Sequence, residues 1–232
     1  MHPEICKIGP FTVYSYGFML VIAFSLGAFL ASREAKRHGI SPDLIFNVCF
    51  VSFIFGIIGA RLLFVLQNLG VYLKDPLEII MLQHGGLSWY GGLMLGSISG
   101  LIFLKIHRAG ILNTLDVIAP YIALAQGIGR IGCLLNGCCG GIILQRIPVQ
   151  MVASLLLLSI FFLLRFRLRR NHFPGQVIFT YFLLYSVKRF IIEFYRTDNP
   201  LIFSKFTLFH IFSAALFIFS LSGLIFLKRR KI

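Results

Sequence analysis

The amino-acid sequence predicts an all-α fold: a polytopic integral membrane bundle of about seven transmembrane helices, with the N-terminus outside and the C-terminus cytoplasmic. Composition is the first reason. Apolar residues make up 58% of the 232 residues and charged residues only 13%, whereas a soluble domain is about half apolar and a quarter charged. Length is the second reason, because seven stretches approach the ~20 apolar residues that cross a bilayer. A net charge of +14 would suggest nucleic acid in a soluble chain, but here the question is which side of the membrane carries it.

Each apolar stretch predicts one span, and together they form a single transmembrane domain over residues 1–232. The first is a retained span and not a signal peptide, because its apolar run is long and the basic residues follow it. The fourth qualifies although it contains Asp116 and Arg130, and the fifth qualifies although it is short. The predicted spans are residues 11–31, 44–66, 87–106, 115–135, 149–165, 175–195 and 207–227.

The basic residues between the spans set the predicted orientation, because cytoplasmic loops are enriched in Lys and Arg. One side of the membrane receives thirteen of them and the other side five, so the richer side is cytoplasmic. The cytoplasmic set is Arg33, Lys36, Arg37, Lys105, Arg108, Arg165, Arg167, Arg169, Arg170, Lys228, Arg229, Arg230 and Lys231, and the external set is Lys7, Lys74, Arg146, Arg196 and Lys205.

Several charges fall inside the predicted spans, where each costs about 2.5–3.5 kcal/mol on insertion scales. In the predicted orientation Arg61, Arg130 and Arg189 come late in outward-running spans and therefore lie in the outer half of the membrane. Tyr90 comes early in an inward-running span, so we expect it at the same depth, beside His84. The charges within the spans are Arg61, Arg130, Lys188, Arg189, Asp116 and Glu193.

Span six concentrates polar side chains on one helix face, because they are spaced by four, four and three residues. Two interpretations fit this pattern. The charged residues could form a structural ion-paired ladder, or their excess positive charge could bind an anion, because arginine forks suit phosphate oxygens. A phospholipid headgroup of the outer leaflet is the anion expected at that depth. The four residues are Tyr185, Arg189, Glu193 and Arg196.

Glycine and cysteine groups complete the pattern. Gly92, Gly96 and Gly100 recur every four residues, which predicts close helix packing, whereas the glycines of residues 85–91 could also form a site. The G-x-G-x-x-G pattern of residues 127–132 lacks the strand–turn–helix context of a nucleotide fold. The clustered thiols could bind zinc with His84, but their spacing matches no paired zinc motif. We therefore expect no metal, no cofactor and inert thiols at Cys133, Cys138 and Cys139.

Five segments form an ordered set of motifs along the chain. They are Tyr14-Ser-Tyr16-Gly17, Gly59-Ala-Arg61, the glycine-rich residues 85–92, Asp116 to Pro120 leading into Gly129-Arg130-Ile-Gly132-Cys-Leu-Leu-Asn136-Gly137, and Tyr185-x-x-x-Arg189-x-x-x-Glu193-Phe-Tyr-Arg196. Together they resemble the bacterial prolipoprotein diacylglyceryl transferase family over nearly the whole chain.

The resemblance implies a multi-pass enzyme of the bacterial cytoplasmic (inner) membrane. Such an enzyme moves a diacylglyceryl group from phosphatidylglycerol to the lipobox cysteine thiol in the signal-peptide region of a prolipoprotein. The positions that match catalytic ones are Arg130, Arg189 and Tyr90. Those implied to bind phospholipid are Arg130, Arg61, Tyr16, Asn136, Gly137, Tyr185, Glu193 and Arg196.

The chain departs from the family pattern at three places. Tyr90 stands where the best-known members carry a histidine proposed as general base, Cys133 and Cys138 replace polar residues, and the segment before Pro148-Val-Gln150 is short. We expect Tyr90 to position substrate, because a phenol with a pKa near ~10 is a poor base at neutral pH. Two alternatives stay open: a related transferase with another acceptor, and a non-enzymatic lipid-binding or lipid-transporting protein. The sequence shows no inverted repeat of the kind common in transporters, which favours the enzyme.

The predicted topology places Lys74 and Arg146 outside and Lys105 and Arg170 in the cytoplasm. We expect a membrane-impermeant thiol reagent to label a cysteine at position 74 in intact cells and one at position 170 only in inverted vesicles. A cysteine at position 105 is the cytoplasmic control, and the native cysteines are replaced by alanine throughout. Labelling of positions 74 and 170 from the same side would contradict the topology.

Overall fold

The computed structural model describes residues 4–8, 11–81, 85–143, 147–197, 199, 201–203 and 206–229. Helices dominate these residues. They are α1 (Ser15–Ala35), α2 (Pro42–Gln67), the short α3 (Leu69–Tyr72), α4 (Trp89–Ile106), α5 (Ile111–Asn136), α6 (Val149–Leu168), α7 (Gln176–Glu193) and α8 (Leu208–Arg229), with 3₁₀ turns at Lys36–His38 and Pro76–Ile79.

Short antiparallel strand pairs flank some of the helices. Strands β1 (Glu4–Ile8) and β2 (Phe11–Tyr14) pair directly before α1. Strands β3 (Ile142–Ile143) and β4 (Ile147–Pro148) pair before α6, and β5 (Leu201–Phe203) and β6 (Phe206–Thr207) pair before α8.

Helices α1, α2, α4, α5, α6 and α8 are long and apolar enough to cross a membrane, which confirms a polytopic, all-α membrane fold. Helix α7 has the length of a span, but its 18 residues include Lys188, Arg189 and Glu193. These charges set it apart from the six apolar helices. The count of seven spans and the orientation of the termini stay predictions.

Large apolar side chains remain exposed along the helices. Val21 is 56% exposed, Leu155 63% and Ile218 65%. In water such surfaces would be unfavourable, because buried apolar area contributes about 25 cal/mol per Å². Their exposure agrees with helices that face lipid.

Two predicted spans begin at residues that the structure describes as strand. The first predicted span began at residue 11, but Phe11–Tyr14 pairs with β1 and α1 begins at Ser15. The last began at residue 207, but Thr207 belongs to β6 and α8 begins at Leu208. In both cases apolar residues that read as helix form a strand, because hydropathy alone does not distinguish the two over a few residues.

The chain folds as two compact units. One comprises Ala35–Ile111, and the other comprises Met1–Glu34 together with Leu112–Ile232. Composition does not indicate this division, because both units consist of similar apolar helices.

In the Ala35–Ile111 unit, glycines bring α2 and α4 into close contact. A Cβ added at Gly59 or Gly91 would collide with the backbone of the other glycine. One added at Gly96 would come within 2.9 Å of the Ser52 carbonyl oxygen. Gly92 and Gly100 also face α2, so the predicted packing role of the four-residue glycine repeat is confirmed.

In the other unit, a buried carboxylate connects α1, α5 and α6. Glu34 is 4% exposed, and its Oε2 accepts a hydrogen bond from the Tyr121 hydroxyl at 3.0 Å. Arg165 of α6 and Arg169, which directly follows α6, approach its carboxylate at 3.8 and 3.6 Å. The charge of Glu34 is therefore neutralised from α6 while its position is set by α5.

A second buried carboxylate fixes the start of α7. Asp116 of α5 is 1% exposed, and its two oxygens accept hydrogen bonds from the backbone N–H of Gly175 (2.7 Å) and Ile178 (2.8 Å). The first N–H groups of a helix have no partner within the helix, so a carboxylate from a neighbouring helix satisfies them and complements the helix dipole. Asp116 thus anchors the helix that carries Arg189 and Glu193.

Removal of this anchor should destabilise the protein. We expect Asp116→Ala to lower the free energy of unfolding by about 3 kcal/mol, because hydrogen bonds to a charged group contribute about 1.5–3 kcal/mol and the N–H groups would be left buried. Asp116→Asn should cost less, since one oxygen remains. Thermal unfolding in detergent measures both, with exposed Asp43→Ala as the matched control. Equal stability of the Asp116→Ala and Asp43→Ala variants would refute the anchor.

Candidate functional site

Helix α5 ends in a turn that requires glycine. Gly137 N donates to Leu134 O at 3.2 Å and Cys138 N donates to Cys133 O at 3.1 Å. These paired bonds are those of a Schellman motif, which places a left-handed residue directly after the helix. Gly137, with φ of 73°, occupies that position. The turn directs the chain beyond Asn136 back toward the end of α5.

Cys139 follows this turn in a conformation that side chains rarely adopt. Its φ is 59°, in the left-handed region that costs a non-glycine residue about 1–2 kcal/mol. The result is a cluster of thiols, since the Sγ atoms of Cys133, Cys138 and Cys139 all lie within 4.8 Å of one another. Hydrogen bonding with Cys133 and the positive charges of Arg130 and Arg196 lower the pKa of the Cys139 thiol below its ordinary value.

Two amide side chains hold the thiol cluster in place. Gln150, which lies in the first turn of α6 and is 4% exposed, donates from Nε2 to Cys138 O at 2.9 Å. The side chain of Asn136 hydrogen-bonds to the Cys138 thiol. Cys133 is buried, whereas Cys138 and Cys139 are half-buried. His84, which we considered as a fourth zinc ligand, lies outside the described residues.

The start of α1 lies against the end of α5. A Cβ added at Gly132 would come within 2.8 Å of Met19 Cβ and 3.7 Å of Tyr16 Cα. This contact brings the Tyr16 phenol under the influence of Arg130 and of the thiol cluster. Tyr16, Arg130 and the three cysteines therefore share one neighbourhood.

The predicted charged face of α7 forms in part as an ion pair. Arg189 Nη2 lies 3.0 Å from Glu193 Oε2, and the two side chains are 9% and 0% exposed. Arg196 lies beyond the end of α7, where its backbone forms an antiparallel bridge with Gly141. The ladder is thus confirmed between Arg189 and Glu193.

The second oxygen of Glu193 is also occupied. Its Oε1 accepts hydrogen bonds from Thr207 Oγ1 at 2.8 Å and from Asn199 Nδ2 at 2.6 Å. The carboxylate is therefore fixed by an arginine, a hydroxyl and an amide. Glu193 is suited to hold Arg189 in place.

Sequence reasoning missed His210, which supports this carboxylate indirectly. Its Nδ1 accepts a hydrogen bond from Thr207 N at 3.1 Å, and its ring packs against Phe190, Phe194 and Phe206. A Thr followed three residues later by an acceptor side chain resembles a capping box at the start of α8. The three-residue spacing of Thr207 and His210 could have indicated this contact from the sequence.

Basic side chains gather around the ion pair. Lys188, 5% exposed, places its Nζ 4.6 Å from the ring centroid of Tyr185, and the Arg189 guanidinium lies 4.3 Å from the Phe209 ring. The charges of Arg130, Arg189 and Arg196 all act on Lys188. Arg130, Lys188, Arg189 and Arg196 thus form one basic group next to the Arg189–Glu193 ion pair, and its excess positive charge favours an anion.

Arg61 belongs to the other unit and has a different environment. All five of its N–H donors bind backbone carbonyls: Nε donates to Ile79 at 3.0 Å, Nη1 to Gly85 and Gly86, and Nη2 to Glu78 and Met81. These bonds organise the segment before α4. The phospholipid-binding role that the family resemblance implies for Arg61 stays a prediction.

Gly86 and Tyr90 lie in that same unit. With φ of 82°, Gly86 approaches so closely that an added Cβ would lie 2.9 Å from Arg61 Nη1. Tyr90 is half-buried in the first turn of α4, with its ring 5.4 Å from that of Trp89 in an edge-on contact. Gly85 and Gly86 therefore supply carbonyl oxygens to Arg61, and Gly86 leaves room for its guanidinium. A joint site of Tyr90 and Arg61 with Arg130 and Arg189 stays a prediction.

Comparison with known proteins agrees with these features. A sequence model of the prolipoprotein diacylglyceryl transferase family matches residues 3–226. Proteins named phosphatidylglycerol–prolipoprotein diacylglyceryl transferase are similar over 97% of the chain. The Staphylococcus carnosus protein is 33% identical with 90% of its length matched, that of Staphylococcus haemolyticus 31% with 87%, and that of Staphylococcus aureus strain Newman 30% with 88%.

Arg61→Lys tests the organising role of Arg61. An ammonium group has three donors on a flexible stem and cannot satisfy five carbonyls, so we expect amide hydrogen exchange of residues 78–81 and 85–88 to rise by at least about tenfold. Arg33→Lys, at an exposed position of α1, is the matched control. Unchanged exchange in Arg61→Lys would show that the segment is held by other contacts.

Proposed function

The chain belongs to the prolipoprotein diacylglyceryl transferase family, and we propose that it transfers a diacylglyceryl group from phosphatidylglycerol to a cysteine thiol of a prolipoprotein. The thiolate sulfur attacks the glyceryl carbon that carries the phosphate. A carbon–sulfur bond forms, the carbon–oxygen bond breaks, and glycerol phosphate leaves with the bonding electrons. The acceptor thiol loses its proton.

The observation that carries this proposal is the group of positive charges next to the Arg189–Glu193 ion pair. The departing phosphate gains negative charge as the carbon–oxygen bond breaks, and fixed cations stabilise such charge strongly where water is excluded. Arg130 and Arg189 are the proposed groups, because a guanidinium presents paired N–H donors to two phosphate oxygens. Glu193 neutralises one positive charge, so the basic group keeps an excess of positive charge that favours a bound anion.

The ion pair gives Arg189 a defined direction. Glu193 is held by Thr207 and Asn199, so the guanidinium bound to it is held as well. Glu193 is thus a positioning residue in this proposal. Positioning is valuable because a displacement requires the phosphate and the attacking sulfur to be aligned.

The remaining site residues have supporting roles. Tyr16, Asn136, Tyr185 and Arg196 would contact the headgroup, and Gly137 would shape the turn beside it. In the other unit, Arg61 would act through the segment it holds, and Tyr90 would position substrate by hydrogen bonding.

An apolar groove between α7 and α8 suits the acyl chains of the donor. Val187, Phe190 and Ile191 line it from α7, and Phe217 and Ile218 line it from α8. Arg189 lies on the same helix as the groove-lining α7 residues. A lipid with its headgroup at Arg189 could therefore place an acyl chain along these side chains.

The acceptor and the location belong to the same proposal. We propose that the acceptor cysteine lies in the lipobox of a prolipoprotein signal peptide, and that transfer takes place at the outer face of the bacterial inner membrane. A protein that only binds or transports lipid could use the same cations. Mass spectrometry after incubation with phosphatidylglycerol and a lipobox peptide separates them, because only the enzyme forms the diacylglyceryl adduct.

Substitution of Arg189 tests the site. We expect Arg189→Lys to lower kcat by at least about 100-fold, because a point charge replaces the fork and one aligned donor in such sites contributes 10²–10³-fold. Arg130→Lys should behave alike, and exposed Arg170→Lys is the matched control. Adduct formation is measured by mass spectrometry and folding by thermal unfolding. Full activity of either site variant would refute the headgroup assignment.

A further inference from the structure

The thiol cluster has the dimensions of a metal site. Zinc binds thiolate sulfur at about 2.3 Å in tetrahedral geometry, which separates neighbouring sulfurs by about 3.8 Å. The Sγ atoms of Cys133, Cys138 and Cys139 already lie within 4.8 Å of one another. Small side-chain adjustments would therefore place all three at coordination distance from one ion.

The surrounding backbone is built to hold this arrangement. The Schellman turn at Gly137 and the left-handed Cys139 bring residues 138 and 139 back to Cys133, one and a half turns earlier in the chain. Gln150 fixes the Cys138 carbonyl from α6. A strained conformation persists only where the surroundings impose it, and such strain clusters at functional sites.

The neighbouring charges suit a metal–thiolate complex. Three thiolates and one Zn²⁺ carry a net charge of −1, and a fourth thiolate makes it −2. Arg130 and Arg196 both act on Cys139, so the complex would sit in a positive field. Cys138 and Cys139 are half-buried, which leaves a side from which a fourth ligand can approach.

The proposed reaction needs a thiolate, because the neutral thiol is a poor nucleophile. Glu193 is already bound by Arg189, Thr207 and Asn199, so it is a poor candidate for taking the proton. A thiol that coordinates zinc is deprotonated by the metal. A zinc ion with three protein ligands and one open position would therefore supply the missing activation.

We propose that Cys133, Cys138 and Cys139 bind one Zn²⁺, and that its fourth position takes the acceptor cysteine of the lipoprotein substrate as thiolate. The inference rests on the proposed transferase function and replaces the expectation of inert thiols. On coordination the acceptor thiol gives its proton to water. The zinc-bound sulfur then forms the bond to the glyceryl carbon, glycerol phosphate departs toward Arg130 and Arg189, and the thioether product leaves the metal.

Metal analysis of the full-length protein is the first test. Protein purified in detergent with Zn²⁺ and then dialysed should hold one zinc per chain, and Cys139→Ser should reduce this at least about tenfold, since a structural or catalytic site needs three or four protein ligands. Cys49→Ser is the matched control. Cys138→His should retain zinc, because imidazole is also a zinc ligand, and this keeps the test valid if a serine variant misfolds. No zinc in the folded wild-type protein would overturn the proposal.

Cobalt reports on the fourth position. We expect Co²⁺-loaded protein to show thiolate-to-cobalt charge-transfer absorption, and a lipobox peptide to increase it while the same peptide with serine in place of cysteine does not. An unchanged spectrum with the cysteine peptide would overturn the role of the open position.

Two further outcomes separate this inference from the proposed function. Full diacylglyceryl transfer after complete removal of metal would overturn the zinc proposal and leave the transferase function intact. Zinc bound by a chain that forms no adduct would overturn the function and with it the role of the metal.

A disulfide within the thiol cluster is tested separately. Trypsin releases residues 131–146 with all three cysteines. If only one thiol of the metal-free peptide is alkylated, the other two form a disulfide, and the zinc proposal is overturned.

Discussion

The ion pair between Arg189 and Glu193 lies in surroundings from which water is largely excluded, with side chains 9% and 0% exposed. Removing two charges from water costs several kcal/mol per ion, and only good geometry with further hydrogen bonds offsets it. Thr207 and Asn199 supply those bonds to Glu193, and the ring of Phe209 covers Arg189. The start of α8, the strand before it and the segment after α7 are all arranged around this one carboxylate. These two buried charges, together with Lys188, make α7 less apolar than the other long helices.

Local periodicity made much of this predictable. The four-residue spacing of Arg189 and Glu193 identified their shared face, and the glycine repeat of α4 identified its packing on α2. The six apolar helices followed from composition and length. These features depend on residues close together in the chain, for which spacing fixes geometry.

The missed features depend on residues distant in the chain or on backbone conformation. The sequence did not predict the backbone carbonyls that accept hydrogen bonds from Arg61, which a folded segment brings to it from 17 to 25 residues away. The Asn136-Gly137 pair could have indicated a helix end, but nothing in the sequence indicates that Cys139 adopts a left-handed conformation. Hydropathy likewise did not show that Phe11–Tyr14 forms a strand. Each outcome was decided by a contact that sequence spacing does not encode.

Helix α7 is secured at both ends, by the Asp116 carboxylate at its first N–H groups and by Glu193 at its last turn. Displacement of α7 would require the contacts of Asp116 and of Glu193 to break together, so we expect the helix to stay in place. Lipid exchange next to Arg189 should then depend on side-chain rotation, which takes picoseconds to nanoseconds, and not on helix displacement, which takes microseconds to milliseconds. On the proposed function, turnover would then be limited by chemistry or by the arrival of the protein substrate, with α7 as a fixed support for Arg189.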